Sequence, residues 1–386
     1  MCLADPSGNP RPRRAIEFCR SHGFEVSAMG YSLKKAIEVF EYFPLNTPSS
    51  LLTGKLLRKF SGAATALMPS QKGKAFWESL RFGFSDADRM LQGKRFDLLI
   101  VENLQLLPLA MKVKGEAKVL FDAREYYPKE FEGKLWFEIL EKKRRVDVCR
   151  KYLPLCDAVL TVSEGLRKEY LREFGVDARV YRSTPLYSEL SVRPTDPKRI
   201  RMVYHGAALR DRKLENLIEI FKMLDERFYL DLILVGNPGY QKELRYKASG
   251  MSRIAFPPAV PFETIIPTIA RYDIGFFYYE PSGFNVAHCL PNKLFEYIQA
   301  RLMLAIGPCP DMAQLVEQYQ CGVVAESFSL EAMAKKLNAL SVSDIDAAKQ
   351  RSDRASKELC FENESERFAE VLEVLLNCSK SSAPVV

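Results

Sequence analysis

The sequence predicts an α/β protein built of two doubly wound domains. Three observations carry that expectation. Short, continuous apolar runs recur along the 386 residues, with longer amphipathic stretches between them. Runs that do not alternate polar with apolar are typical of strands buried on both faces of a parallel sheet. The alternation breaks once, at residues 184–200, which read TPLYSELSVRPTDPKRI and hold three prolines. A segment with no helical period and several prolines is a natural linker. It leaves two halves of about 190 residues, each the size of one domain.

The elements follow in order. In the first half the strand-like runs are 24–28, 96–101, 117–121, 158–162 and 179–181. In the second half they are 201–204, 229–235, 253–256, 274–278, 303–306 and 323–325. Helical periods fall at 12–21, 135–151, 166–174, 214–224, 292–301 and 312–318, and an amphipathic stretch closes the chain near 361–376. Strand, helix and strand in repetition predict parallel sheets wrapped by helices. The domains are therefore expected at 1–185 and 200–360. Residues 186–199 link them, and 361–386 form a helix and tail that pack back on the first domain.

Composition narrows the function. Hydrophobic residues are 47% and charged residues 27%, which excludes disordered, collagen-like and coiled-coil chains. Net charge is +7, too small an excess to imply nucleic acid. It is unevenly spread. Residues 1–190 hold 32 Lys and Arg against 24 Asp and Glu, while the remainder hold 24 against 25. Nine cysteines, odd in number and without a Cys-x-x-Cys pair, suit free thiols in a reducing compartment. Three scattered histidines suggest no metal site. No apolar run approaches the ~20 residues of a membrane span, and the first residues lack the apolar core of a signal peptide. A cytoplasmic protein that does not cross a membrane is expected. Within the irregular zone 42–95, residues 51–60 hold Leu51, Leu52, Lys55, Leu56, Arg58, Lys59 and Phe60 at helical spacing. Such a basic amphipathic helix suits either an anionic membrane surface or an ordinary solvated crossover helix.

Several chemistries lack their motif. There is no Gly-x-Gly-x-x-Gly after a first strand, no phosphate loop ending in Gly-Lys-Ser/Thr, and no Gly-x-Ser-x-Gly elbow. Asp86 and Asp88, and Asp344 and Asp346, form Asp-x-Asp triplets, but neither triplet ends an apolar strand. Both read as surface or capping carboxylates. The informative stretch is 272–312, YDIGFFYYEPSGFNVAHCLPNKLFEYIQARLMLAIGPCPDM. An apolar strand leads into a polar loop holding Gly283. Pro291 then opens a helix, and another apolar strand follows. Ligands of parallel sheets bind outside the carboxyl ends of strands. A helix N-terminus there offers amides and partial positive charge to phosphate. Lys293 sits in that first turn, and Glu296, one turn on, suits accepting hydrogen bonds from sugar hydroxyls.

PNKLFEYIQARLMLAIG resembles the signature helix and strand of family 4 glycosyltransferases of the GT-B fold. MVYHGAALRDRKLENLIEIF, RIAFPPAVPFETIIPTIARYDIGFF and CGVVAESFSLEAMAKKL are similar to flanking segments of the same family. FDLLIVENLQLLPLA, AKVLFDAREYYP and CDAVLTVSEGLRKEY match more loosely, so that the resemblance covers most of the chain apart from 42–95. It implies two Rossmann-like domains facing a central cleft, and a retaining transferase that moves a hexosyl or N-acetylhexosaminyl group from a UDP- or GDP-sugar without a metal. It implies a glycan or lipid-linked acceptor and a role in surface polysaccharide biosynthesis, with no nucleic-acid partner. The family's two acidic positions fall on His288, a departure, and Glu296. Its diphosphate-binding basic pair falls on Ala207, a second departure, and Arg212, with Lys213 beside it. Arg124 replaces a common His.

The residues expected to stabilise the leaving diphosphate are then Arg212, Lys213 and Lys293. Donor contacts are expected from Glu296, His288, Gly206, Asn292, Leu294, Gly283 and Pro258. Arg124, Glu125, Asn9 and Arg11 are the acceptor or cleft candidates. Two other readings compete: a nucleotide-sugar 2-epimerase on the same scaffold, and a non-catalytic subunit that binds a partner transferase.

Overall fold

The computed structural model describes residues 1–46, 79 and 82–376. The basic stretch 51–60 lies outside them. The chain forms two compact α/β units. One runs from Met1 to Tyr181 and includes the described residues from Arg367; the other is Arg182–Glu366.

The first unit holds β1 (Ala28–Gly30), β2 (Tyr42–Pro44), β3 (Leu98–Val101), β4 (Lys118–Ala123), β5 (Ala158–Thr161) and β6 (Arg179–Val180), all paired in parallel. Met1–Ala4 bridges β1 and β3 in strand-like fashion. The Cys2 amide donates to Met29 O, the Tyr31 amide to Ala4 O, and the Glu102 amide to Met1 O. Counting that segment first, the chain places its next two strands on one side and the remaining four on the other. Residues 1–4, Met-Cys-Leu-Ala, are apolar throughout but fall outside the strand-like runs read above, and β1 begins at Ala28, where the reading of 24–28 ends. The first of these holds a central place in the sheet with only four residues, too short a run to stand out by length.

Helix α1 (Pro10–Ser21) opens on Asn9, whose side chain accepts the Arg11 amide, with Pro10 at the first helical position. The expected helix over 135–151 is broken into Leu135–Leu140 and Lys142–Tyr152 at Glu141. There a buried Glu141 carboxylate meets Arg144 at 2.7 Å and Arg145 at 3.8 Å. Helix α2 (Glu164–Phe174) is capped by Ser163 and closed by left-handed Gly175. Phe18, Cys19, Leu120, Leu160, Tyr181 and Phe368 centre one core of this unit.

The second unit holds β7 (Ile200–Ala207), β8 (Phe228–Val235), β9 (Ile254–Ala255), β10 (Ile274–Phe277), β11 (Met303–Ile306) and β12 (Gly322–Val324). The spatial order is β9-β8-β7-β10-β11-β12, all parallel. The chain steps outward from β7, returns beside it as β10, and steps outward the other way. That places the topological switch point between β7 and β10. Helices α3 (Asn292–Gln299), α4 (Pro310–Tyr319) and α5 (Val342–Glu358) follow, and α6 (Phe361–Leu376) closes the described chain. Helix Pro238–Lys247 escaped the sequence reading because only Tyr240 and Leu244 of its ten residues are buried. Asp344 joins Ser341 in a capping box at the start of α5. Among the described residues no helix is long and apolar enough to cross a membrane.

Residues 186–199 belong to this second unit. Arg301, fully buried, donates to Ser188 O at 2.7 Å. Thr195 donates its amide and hydroxyl to Asp346, and buried Lys349 reaches both Thr195 and Asp273. A cation held away from water needs such partners, and this segment supplies part of the set. Division of the chain falls at Tyr181–Arg182 and Glu366–Arg367. Eight described cysteines are free thiols.

Candidate functional site

At the switch point β7 ends in His205-Gly206-Ala207, and β10 ends in Phe277. The Tyr204 and Phe277 rings stack with centres 6.3 Å apart and planes inclined by 27°, and Phe277 lies 4.9 Å from Tyr279. Two cations rest on this aromatic floor. Lys293 Nζ is 4.0 Å from the Tyr204 ring centre and 4.5 Å from that of Phe277. The Arg212 guanidinium is 5.3 Å from Phe277 and 5.2 Å from Tyr279. Rings hold cations by their quadrupole, but they do not neutralise charge. Arg212 Nη1 is buried with no hydrogen-bond partner. Burial pushes the Lys293 ammonium well below its ordinary range, and neighbouring Arg212 pushes it further, with Glu296 opposing.

Gly206 makes room for this arrangement. Its φ of +124° is rare for L side chains, and a Cβ would stand 3.2 Å from Lys293 Nζ. Pro291 is the N-cap of α3 and Asn292 its first residue, one step later than the sequence suggested. Glu296, one turn along, is buried, with Oε2 lying 3.3 Å from His205 Nε2. Burial first, and then Lys293, lower His205 to about 3, so its imidazole is neutral. The Tyr297 hydroxyl donates to Val203 O, tying α3 to β7, and its ring meets the His205 ring edge-on.

The other expected donor residues sort as follows. His288 follows the short helix Phe284–Ala287, and its Nδ1 donates to buried Asp311 Oδ2 at 2.7 Å. Lys213 is exposed in a left-handed conformation, 4.0 Å from Glu280. Asn292 and Pro258 are exposed, and Gly283 is extended. Leu294 is not a contact residue. Its side chain is fully buried in the core and its amide already donates to Pro291 O. His205, Asp311 and the aromatic floor were missed. The signal for His205 was its place directly before Gly206 at a strand end.

In the first unit Asn9 and Arg11 depart from the expected role. Asn9 is spent as the cap of α1. Arg11 is buried, donating from Nε and Nη2 to Asp122 at 2.5 and 2.7 Å and from Nη1 to Tyr181 O at 3.0 Å. An ion pair with every branch engaged is structural. Arg124 follows β4, with Nη2 3.6 Å from Oε2 of Glu102, which follows β3. Burial raises Glu102 to about 7 against the pull of Arg124. Surrounding protein, Glu130 included, also raises Glu125 to about 7. Glu125 has an exposed face, and water there screens the effect. Glu102 is the better candidate for a carboxyl protonated near neutrality.

No protein-family model matches the sequence, and no curated protein matches it significantly. Solved structures do resemble it. S. aureus TarM, solved in a complex with UDP, is 13% identical with a TM-score of 0.57. The match covers 75% of this chain, which spans only 58% of the length of TarM. WaaG, a glycosyltransferase involved in lipopolysaccharide biosynthesis, is 11% identical with a TM-score of 0.65, over 96% of this chain and 98% of its own. HepE of Anabaena, in complex with UDP and glucose, is 10% identical with a TM-score of 0.63, over 97% and 98%. At such identities the likeness is one of fold, and the chain has the GT-B fold with its two Rossmann-like α/β domains.

Proposed function

We propose that the protein is a glycosyltransferase that binds a nucleoside-diphosphate sugar at the carboxyl edge of β7 and β10. The observation that supports this most is the cation pair Arg212 and Lys293. Both lie at the switch point, and neither has a carboxylate ion pair among the described residues. Unpaired positive charge on an apolar floor is costly alone and favourable once a diphosphate arrives. The same two cations then stabilise the nucleoside diphosphate as it leaves, which is where negative charge develops. Glu296, held beside neutral His205, accepts hydrogen bonds from ribose hydroxyls. His288, its tautomer set by Asp311, meets the transferred sugar through Nε2.

The further reading is a family 4, retaining, metal-independent enzyme of the hexosyl or N-acetylhexosaminyl type. The transition state is oxocarbenium-like. The acceptor hydroxyl attacks from the face the diphosphate leaves, and its proton passes to a phosphate oxygen. The first unit binds a glycan or lipid-linked acceptor, with Arg124 and Glu102 at the ends of β4 and β3, and the product belongs to surface polysaccharide. Calorimetry with UDP and GDP tests the core of this. Binding of one, lost in Arg212→Ala, is expected. Binding of neither overturns it in favour of a non-catalytic scaffold, and conversion of UDP-N-acetylglucosamine to its epimer without acceptor favours an epimerase.

A further inference from the structure

Strand β3 runs along a cavity of about 340 Å³ in the first unit, the size of a small-molecule site. Its wall is apolar, with Ile16 and Cys19 of α1, Met29 of β1, Phe43 of β2, Leu98 of β3 and Leu372 of α6. The sequence accounts for the space. Residues 31–41, which join β1 to β2, form no helix to cover the sheet. Ala15, Cys19 and Ala28 add only small side chains to the wall. Leu98 and Ile100 are in consequence only partly buried, although both lie within β3. The two ends differ. At the amino ends of the strands Glu25, Phe40, Arg95 and Asp97 are exposed. Glu102, directly after β3, closes the other end, about 16 Å of strand away. It is 3% exposed, and its Oε2 has no hydrogen-bond partner. A buried carboxyl oxygen in that state gains from any donor brought to it. Arg124, 3.6 Å from the same oxygen, offsets its charge, so an ionic head finds little net attraction there. The outer end is mixed as well. Glu25, Glu41 and Asp97 stand with Lys94 and Arg95, and Lys94 is paired with Glu41 at 2.8 Å.

We propose that the cavity binds a neutral amphiphile, an apolar chain ending in a hydroxyl that donates to the Glu102 carboxyl. Neither end of the cavity selects an anion or a cation, and the wall between them selects hydrocarbon. Apolar cavities that water fills poorly take up apolar ligands of matching size. A single hydroxyl satisfies the one polar group at the inner end. Glu102 is shared with the acceptor face proposed above, but the proposal stands without the glycosyltransferase reading, since the ligand binds with no sugar donor present.

The full chain is titrated by calorimetry with octan-1-ol and with three probes of similar length: octanoate, octylammonium and heptyl methyl ether, which has no donor. Saturable binding of the alcohol at a single site is expected. The ether should bind about tenfold more weakly for want of the hydrogen bond. The two ions should bind at least about tenfold more weakly, because their charge is buried. Ala15→Phe fills the cavity from α1 and should weaken the alcohol by at least about tenfold. Glu102→Leu should bring the alcohol down to the affinity of the ether. Circular dichroism confirms that both variants fold. No saturable binding of octan-1-ol overturns the proposal, as does binding that Ala15→Phe leaves unchanged. Equal affinity for alcohol and ether removes the role of Glu102 and overturns it as stated. An ion that binds more tightly than the alcohol overturns the neutral head.

Discussion

Gly206 and Lys293 are fitted to each other: the space a Cβ would fill at Gly206 lies 3.2 Å from the Lys293 ammonium nitrogen. The glycine also holds φ at +124°, a region that costs other residues on the order of 1–3 kcal/mol. Gly206→Ala is therefore expected to lower stability by about that amount. It should also displace Lys293 from the Tyr204 and Phe277 rings, weakening UDP or GDP binding. Denaturant unfolding and calorimetry on the same variant separate the two effects. Unchanged nucleotide affinity in a destabilised variant would show that Lys293 does not serve the ligand.

Arg212 sets stability against function. Its Nη1 is buried without a partner while its guanidinium packs on Phe277 and Tyr279. Met at this position keeps the packing and removes the unpartnered charge. Replacing an uncompensated buried charge with an apolar group is often neutral or stabilising. Arg212→Met should thus unfold at an equal or higher denaturant concentration, yet bind nucleotide at least about tenfold more weakly. A clear loss of stability would mean that the guanidinium has a structural partner.

The depressed Lys293 ammonium gives a proton-linked signal. A diphosphate beside it favours the charged form, so the protein takes up a proton as the ligand binds wherever the free amine is partly neutral. Calorimetry at one pH in two buffers of different ionisation enthalpy reads that uptake directly. Lys293→Gln should abolish the buffer dependence as well as weaken binding. An observed enthalpy independent of buffer in the parent protein would contradict a titrating Lys293 at the ligand.

Most of the sheet was legible in the sequence, because strands buried on both faces need continuous apolar runs. The run at 303–306 coincides with β11, and 274–278 and 229–235 fall within a residue or so of β10 and β8. Met1–Ala4 and Tyr42–Pro44 were not read as strands because they are only four and three residues long, although Met1–Ala4 is apolar throughout. The site was legible where backbone geometry dictates a residue, as at Gly206 and the first turn of α3. It was illegible where a role depends on what lies across the fold. Arg11 and Asp122 are 111 positions apart, and nothing local to Arg11 shows that all its branches are engaged. Leu294 has the spacing of a helix-start contact, but its side chain points into the core.

His205 makes acid stability the last test. Burial, reinforced by Lys293, lowers it from 6.5 to about 3, and the groups facing it are Lys293, Glu296 and the Tyr297 ring. Between these values the unfolded chain binds a proton that the folded protein refuses. Stability therefore rises with pH across this window, and it falls as pH drops below 6.5, by at most about 1.4 kcal/mol per pH unit from this group. The loss levels off once pH passes below about 3, where the folded protein is protonated too. Gln keeps a neutral polar side chain but cannot titrate. Urea unfolding of the parent and of His205→Gln at several pH values from about 4 to 7 should show the smaller slope in the variant, with the two curves converging in shape above 6.5. Parallel slopes throughout would mean that His205 is protonated in the folded protein. Glu296 would then face an imidazolium, and the ribose contact proposed for it would rest on a charged pair instead of a neutral support.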